Sequence, residues 1–186
     1  EKALPIIAIP TTSGTGSEVT PYSILTVDEW QTKKSFASEY IFPKYALLDP
    51  KYTYSLPADY TISTAFDAAS HLFESYFSLK STNLSQMYSI EGIHSFAKAV
   101  NALQIKQFDE QSRNDLMYAS MLGGIAISHT GTTAMHALGY SMTYFHKMPH
   151  GFSNLYFVKP YFQHMMKHEK DKTKLVIKEL GFSDID

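Results

Sequence analysis

From Pro57 onward the apolar residues recur at three- and four-residue intervals, a spacing that a strand cannot bury on one face. Ile62, Ala65, Phe66, Ala69, Phe73, Tyr76 and Phe77 fall on one side of a helix, and Ser63, Asp67, Ser70, His71 and Glu74 on the other. Asn83 with Gln86 reads as a capping box opening a second helix through Leu84, Met87, Tyr88, Phe96, Ala97 and Val100. A third helix is expected from about residue 111 to 127, where Ala119, Ser120, Gly123 and Gly124 are small enough for a neighbour to approach closely. The turn His129-Thr130-Gly131-Thr132 precedes a helix carrying His136, which Pro149 is expected to stop. Further helices are expected near 160–168 and 172–180, the last ended by Gly181.

Before Leu56-Pro57 the chain reads as β-rich. Residues 5–10 predict a short buried strand running into a small-residue loop, Thr11-Thr12-Ser13-Gly14-Thr15-Gly16-Ser17-Glu18. Ser23 to Val27 and the Tyr45-Ala46-Leu47-Leu48 run before Asp49-Pro50 predict two more strands. The expected organisation is a β-rich segment at 1–56 and a helical domain at 57–186, mainly α overall. A hydrophobic content of 44% with 18% charged residues describes an ordinary globular chain, not a disordered one. A net charge of −2 with scattered Lys and Arg supplies no basic stripe, so nucleic acid is not an expected partner. No apolar run approaches the roughly 20 residues of a membrane span, and no signal peptide is visible, so a soluble, unexported protein is expected. The absence of cysteine excludes disulfides and thiolate metal sites and is compatible with the cytoplasm.

Any metal must therefore be held by imidazoles and carboxylates. Asp67 and His71 are four residues apart and project from the same helix face; His136 lies in a later helix, and His150 follows the Lys147-Met148-Pro149 break. One carboxylate and three imidazoles suit Fe, Zn, Co, Ni or Mn better than Ca or Mg. The same residues are equally what the wet face of a surface helix displays, and with eight histidines in the chain, spacing alone leaves both readings open. Likewise the Thr-rich loop is not a GxGxxG fingerprint and reads by itself as an ordinary turn.

Several separated motifs tip this balance. P-T-T-S-G-T-G-S-E at 10–18, F-D-A-A-S-H at 66–71, H-A-L-G-Y at 136–140 and P-H-G at 149–151, with Asp49-Pro50, Leu56-Pro57 and Glu74 between them, resemble the iron-containing alcohol dehydrogenase family along nearly the whole chain. The resemblance implies an α/β dinucleotide-binding domain, of which 1–56 would be the C-terminal remnant, followed by an all-helical metal-binding domain. It implies a metal, Fe(2+) or else Zn(2+), Ni(2+) or Mn(2+), on Asp67, His71, His136 and His150. It also implies NAD or NADP along Thr11, Thr12, Gly14 and Thr15, with Lys33 near a ribose. A small alcohol or aldehyde would be the substrate, and the full-length protein would be a homodimer. The family's upstream Gly-rich loop has no counterpart, so the chain is expected to be an internal, inactive piece with its helical domain cut short. Ala65 stands where a glycine is frequent, and Tyr140 where many members carry a second histidine.

Other functions remain on the sequence alone. A polyol or glycerol-type dehydrogenase, or a synthase of the dehydroquinate class, would use the same fold. A metallohydrolase would need a general base, for which Glu74 is the nearby candidate. A non-catalytic helical module would bind no metal.

Overall fold

The computed structural model describes residues 3–184. In chain order its elements are strands β1 (Ile7–Ala8), β2 (Tyr22–Val27), β3 (Thr32–Ala37) and β4 (Tyr45–Ala46). These are followed by helices α1 (Ala58–Phe77), α2 (Asn83–Ile105), α3 (Glu110–Thr130), α4 (Ala134–His146), α5 (His150–Tyr156), α6 (Val158–His168) and α7 (Lys170–Glu179). The protein is thus mainly helical, with two small sheets at its N-terminal end.

β1 pairs in parallel with β4 through Ile7↔Tyr45 and Ala8↔Ala46. The strand expected at 5–10 is therefore two residues long, and it is not buried: Ile7 is 61% exposed. Among the described residues only β4 flanks it, and no second layer covers its isoleucines. β2 and β3 form an antiparallel hairpin in register from Tyr22↔Ala37 to Val27↔Thr32. β3 lacks apolar alternation and is not foreseen from the sequence. The turn defines it instead, with Gln31 in the left-handed region at φ 49° and its N–H donating to Asp28 O at 3.1 Å.

α1 is the centre of the helical layer. Leu72 and Phe73 pack with Ile93 and Phe96 of α2, Leu116 and Leu122 of α3, and Phe162 of α6 in one core. Gly92 lets α2 close onto α1, since a Cβ there would stand 2.3 Å from Leu72 Cδ2. The polar stripe of α1 is buried too: Ser63, Asp67, Ser70, His71 and Glu74 are all in the interior, so it is not a wet helix face. Arg113 of α3, itself buried, ties the chain just before α1 by donating to Thr53 O and to Leu56 O, the latter at 3.2 Å.

Helix ends differ in detail from expectation. The capping box of α2 is Thr82 with Ser85, one residue earlier than Asn83 with Gln86: Ser85 N–H donates to Thr82 Oγ1 at 3.3 Å and Thr82 N–H to Ser85 Oγ at 2.9 Å. α4 ends at His146, with Lys147 left-handed at φ 54°, and Pro149 opens α5 as well as closing off α4. Gly181, at φ 83°, closes α7 with Phe182 N–H donating to Ile177 O at 3.0 Å. No described helix is long and apolar enough to cross a membrane.

Candidate metal centre

Three helices deliver one cluster. Asp67 and His71 leave α1 one turn apart, His136 lies in the first turn of α4, and His150 is the first residue of α5. Asp67 Oδ1 is the common point, 3.8 Å from His71 Nε2, 3.4 Å from His136 Nε2 and 3.4 Å from His150 Nε2. The ligand atoms of Asp67, His71 and His136 lie within 4.8 Å of one another. His150, the least buried of the four, joins that triad through Asp67.

Close backbone approaches make this convergence possible. A Cβ at Gly123 of α3 would meet Ala68 O at 3.2 Å and His71 Cβ at 3.3 Å. At Gly151 it would lie 1.6 Å from Ser63 O, so only glycine after His150 lets α5 start against α1.

Glu74, one turn beyond His71, sets the second face. Its Oε2 accepts a hydrogen bond from His136 Nδ1–H, turning Nε2 toward Asp67. Its Oε1 accepts from the N–H groups of Thr133 (3.0 Å), Met135 (2.7 Å) and His136 (3.4 Å), and from Thr133 Oγ1 (2.9 Å). Thr133 makes no side-chain cap, so a carboxylate from another helix caps α4, where the helix dipole favours negative charge. Wholly enclosed behind His136, Glu74 has no access to water in the cleft, and the metallohydrolase reading loses its base. Asn154 is the residue that sequence reasoning missed; its only signal is a position one turn after His150.

Burial by itself would raise Asp67, but the facing imidazoles, His71 foremost, hold it well below the usual carboxylate range. Burial lowers His71 to about 4 and also depresses His150. His136 goes the other way: burial opposes its charge, yet hydrogen bonds to Asp67 and Glu74 raise it to about 9. Glu74, which burial would raise, is held low by His136. Without a cation the cluster is thus two neutral imidazoles with free lone pairs beside an imidazolium held between two carboxylates. Lone-pair nitrogens and an ionised oxygen meeting at one buried point fit a borderline divalent cation.

The cluster forms the inner end of a cleft of about 590 Å³, lined also by Thr15, Tyr22, Ile24, Thr132 and Tyr140. Tyr140 stacks on His150 at 5.6 Å between ring centroids. Of the loop positions, Thr15 reaches this cleft, with its hydroxyl 2.8 Å from Ser17 Oγ. Thr11 is exposed and Thr12 half-buried, both outside the cleft lining, and Gly14 is buried against Thr64. Lys33, on β3, is near enough to His150 for its charge to depress that imidazole.

A helical layer thus presents an Asp-His-His-His cluster to a cleft beside a Thr-rich loop, a donor set that fits a divalent metal. A family model described as "Fe-containing alcohol dehydrogenase family, C-terminal" matches residues 61–185, and one described as "Iron-containing alcohol dehydrogenase" matches residues 1–50. The chain belongs to the iron-containing alcohol dehydrogenase family. It is 35% identical over 154 residues to long-chain-alcohol dehydrogenase 1 of Geobacillus thermodenitrificans, covering 83% of this chain and 38% of the relative. It is 32% identical over 179 residues to 4-hydroxybutyrate dehydrogenase of Clostridium kluyveri, covering 95% of this chain and 48% of the relative. Among solved structures, an iron-containing alcohol dehydrogenase of Thermotoga maritima superposes with a TM-score of 0.87 at 40% identity, over 97% of this chain and 49% of that one. A sulfoacetaldehyde reductase of Bifidobacterium kashiwanohense, solved in complex with NAD+, superposes with a TM-score of 0.82 at 28% identity, over 97% of this chain and 53% of that one. The chain spans about half the length, or less, of these relatives.

Proposed function

We propose that the full-length protein containing this chain is a metal-dependent NAD(P) alcohol dehydrogenase, interconverting an alcohol with its aldehyde or ketone. The observation that carries the reading is the meeting of Asp67 Oδ1 with three imidazole Nε2 atoms at the inner end of the cleft. Asp67, His71, His136 and His150 would hold the metal, Fe(2+) in keeping with the family, with Zn(2+), Ni(2+) and Mn(2+) accepting the same donors. When bound, the cation supplies Lewis acidity to a substrate oxygen, and the nicotinamide takes or gives the hydride. Glu74 keeps the His136 lone pair aimed into the site by holding the proton on Nδ1. Tyr140, whose phenol is raised by burial, stays protonated at neutral pH and can donate a hydrogen bond within the cleft. Thr15 and its loop would face the cofactor, supported by the cleft they share with the cluster; Thr11, Thr12, Gly14 and Lys33 belong to the same proposal. A homodimeric assembly rests on family membership, and the lack of cysteine is compatible with a cytoplasmic location.

The test is alcohol-dependent reduction of NAD+ or NADP+ by the full-length protein, abolished by a chelator and restored by Fe(2+). Metal-dependent hydrolysis without redox change, or redox activity that survives His136→Ala, overturns the reading.

A further inference from the structure

Asn154 stands one helical turn after His150 on α5 and is completely buried. Its Nδ2 lies 3.1 Å from Asp67 Oδ1, 3.1 Å from Ser70 Oγ and 3.3 Å from His136 Nε2. One amide therefore touches two atoms of the candidate metal centre and the helix that carries two of its ligands. The orientation follows from its neighbours. The Asp67 carboxylate oxygen accepts, and the Ser70 hydroxyl spends its proton on Asp67 O at 2.7 Å, so both take a donor. The NH2 group must point inward, although this leaves Asn154 Oδ1 buried and without a partner. That oxygen sits against α4 where Gly139 stands, and a Cβ there would come within 2.4 Å of it. A residue that merely filled space would not hold an unpaired carbonyl in the interior.

The donor count agrees with this orientation: an NH2 group has two protons, and Asp67 Oδ1 and Ser70 Oγ, each at 3.1 Å, offer one acceptor for each.

We propose that Asn154 is a positioning residue of the metal centre. Its amide fixes Asp67 Oδ1 and fastens the turn of α5 that brings His150, so metal affinity depends on a side chain that does not itself coordinate. The inference rests on the metal-centre reading of the previous subsection.

The test uses the full-length protein as wild type, Asn154→Ala, Asn154→Asp, His136→Ala and Ser153→Ala. Ser153→Ala removes a buried hydroxyl of α5 that bonds to Thr143 and to the carbonyls of Met148 and Pro149, not to a side chain of the cluster. Zn(2+) affinity is measured by chelator competition, the Co(2+)-substituted protein by its visible absorption, and metal-free and loaded forms by thermal melting. Asn154→Ala should weaken Zn(2+) binding by about 10–100-fold and change the Co(2+) spectrum, as loss of a group that orients ligands does. Ser153→Ala should leave affinity and spectrum as in wild type. Asn154→Asp sets a second carboxylate beside Asp67, so the metal-free form should melt lower and the gap between metal-free and loaded melts should widen. Wild-type affinity and spectrum in Asn154→Ala, with both forms melting lower by the same amount, would reduce Asn154 to packing and overturn the inference. If wild type binds neither ion, or His136→Ala binds Zn(2+) as well as wild type, the metal-centre reading itself fails, and the inference with it.

Discussion

Replacing Glu74 by Gln tests the part of the site that no ligand count reveals. The side chain keeps its shape, and the Gln carbonyl can still accept from the N–H groups of Thr133, Met135 and His136 that Glu74 Oε1 now holds at 3.0, 2.7 and 3.4 Å. Its NH2 group then occupies the place of Oε2, facing His136 Nδ1. Two donors cannot share that contact, so the His136 proton must move to Nε2, the nitrogen that faces Asp67. A neutral imidazole protonated there has no lone pair for a metal. Losing the group that orients a ligand lowers metal affinity by about 10–100-fold, or about 1.4–2.8 kcal/mol. A charge-assisted bond contributes about 1.5–3 kcal/mol against about 0.5–1.5 for a neutral one, so a stability loss of about 1–2 kcal/mol should accompany it. Chelator competition with Zn(2+) and thermal melting of the full-length variant read the two quantities. The metal-free protein adds a signed check. His136, raised from 6.5 to about 9, contributes stability that is complete below 6.5 and lost as pH rises through about 9. Without the Glu74 charge the upper edge of that window should move down, visible in the imidazole titration by NMR. A variant that melts cooperatively yet binds Zn(2+) within about threefold of wild type, well short of the 10–100-fold loss expected, refutes the argument.

Metal uptake should be proton-linked. With His71 held near 4 and His150 depressed, only His136 must give up a proton near neutrality, so Zn(2+) affinity should climb about tenfold per pH unit toward about 9 and then level; a flat profile would sink this assignment. Gly151→Ala puts a methyl group into Ser63 O and should displace His150, abolishing tight Zn(2+) binding while circular dichroism still reports the longer helices; unchanged affinity would show that α5 can start elsewhere. Thr82→Ala removes the N-cap of α2, whose side chain bonds to Ser85 and not to the cluster, and should cost about 1 kcal/mol in denaturant unfolding with metal affinity untouched.

What the sequence made legible was periodic. Twenty residues of α1 carry enough turns for the apolar stripe to declare a helix and for Asp67, His71 and Glu74 to declare a shared side. Whether that side was wet could not be read from α1, because it depends on α4 and α5 packing onto it. α5 escaped notice for a related reason: at seven residues it is too short to show a period, and Pro149 reads as a stop before it reads as a start. His150 was reached through the P-H-G resemblance, whereas Asn154, in no quoted motif, was not reached at all. β3 was invisible because Thr32-Lys33-Lys34-Ser35 does not alternate, and the hairpin turn, not a buried face, sets its register. Residues 5–10 are apolar yet largely exposed, because among the described residues β4 is the strand that pairs with them and no second sheet covers them.

Charge explains why so polar a stripe can sit inside the protein at all. Enclosing an unpaired carboxylate is costly, and the stripe encloses two, Asp67 and Glu74. In the metal-free chain the positive charge of protonated His136, whose two nitrogens face Asp67 and Glu74, offsets one of those charges, while burial favours the neutral forms of His71 and His150. One negative charge is then left in the cluster. A divalent cation bound in place of that proton would bring the two carboxylates and three neutral imidazoles to zero. Glu74 has already spent its lone pairs on His136 and the start of α4, so Asp67 is the carboxylate left to face the ion. The same arrangement that leaves a protonated, net negative cluster in the metal-free protein would thus be balanced by a bound divalent cation. The metal is therefore expected to act as part of the packing of α1 against α4 and α5, as well as of the chemistry.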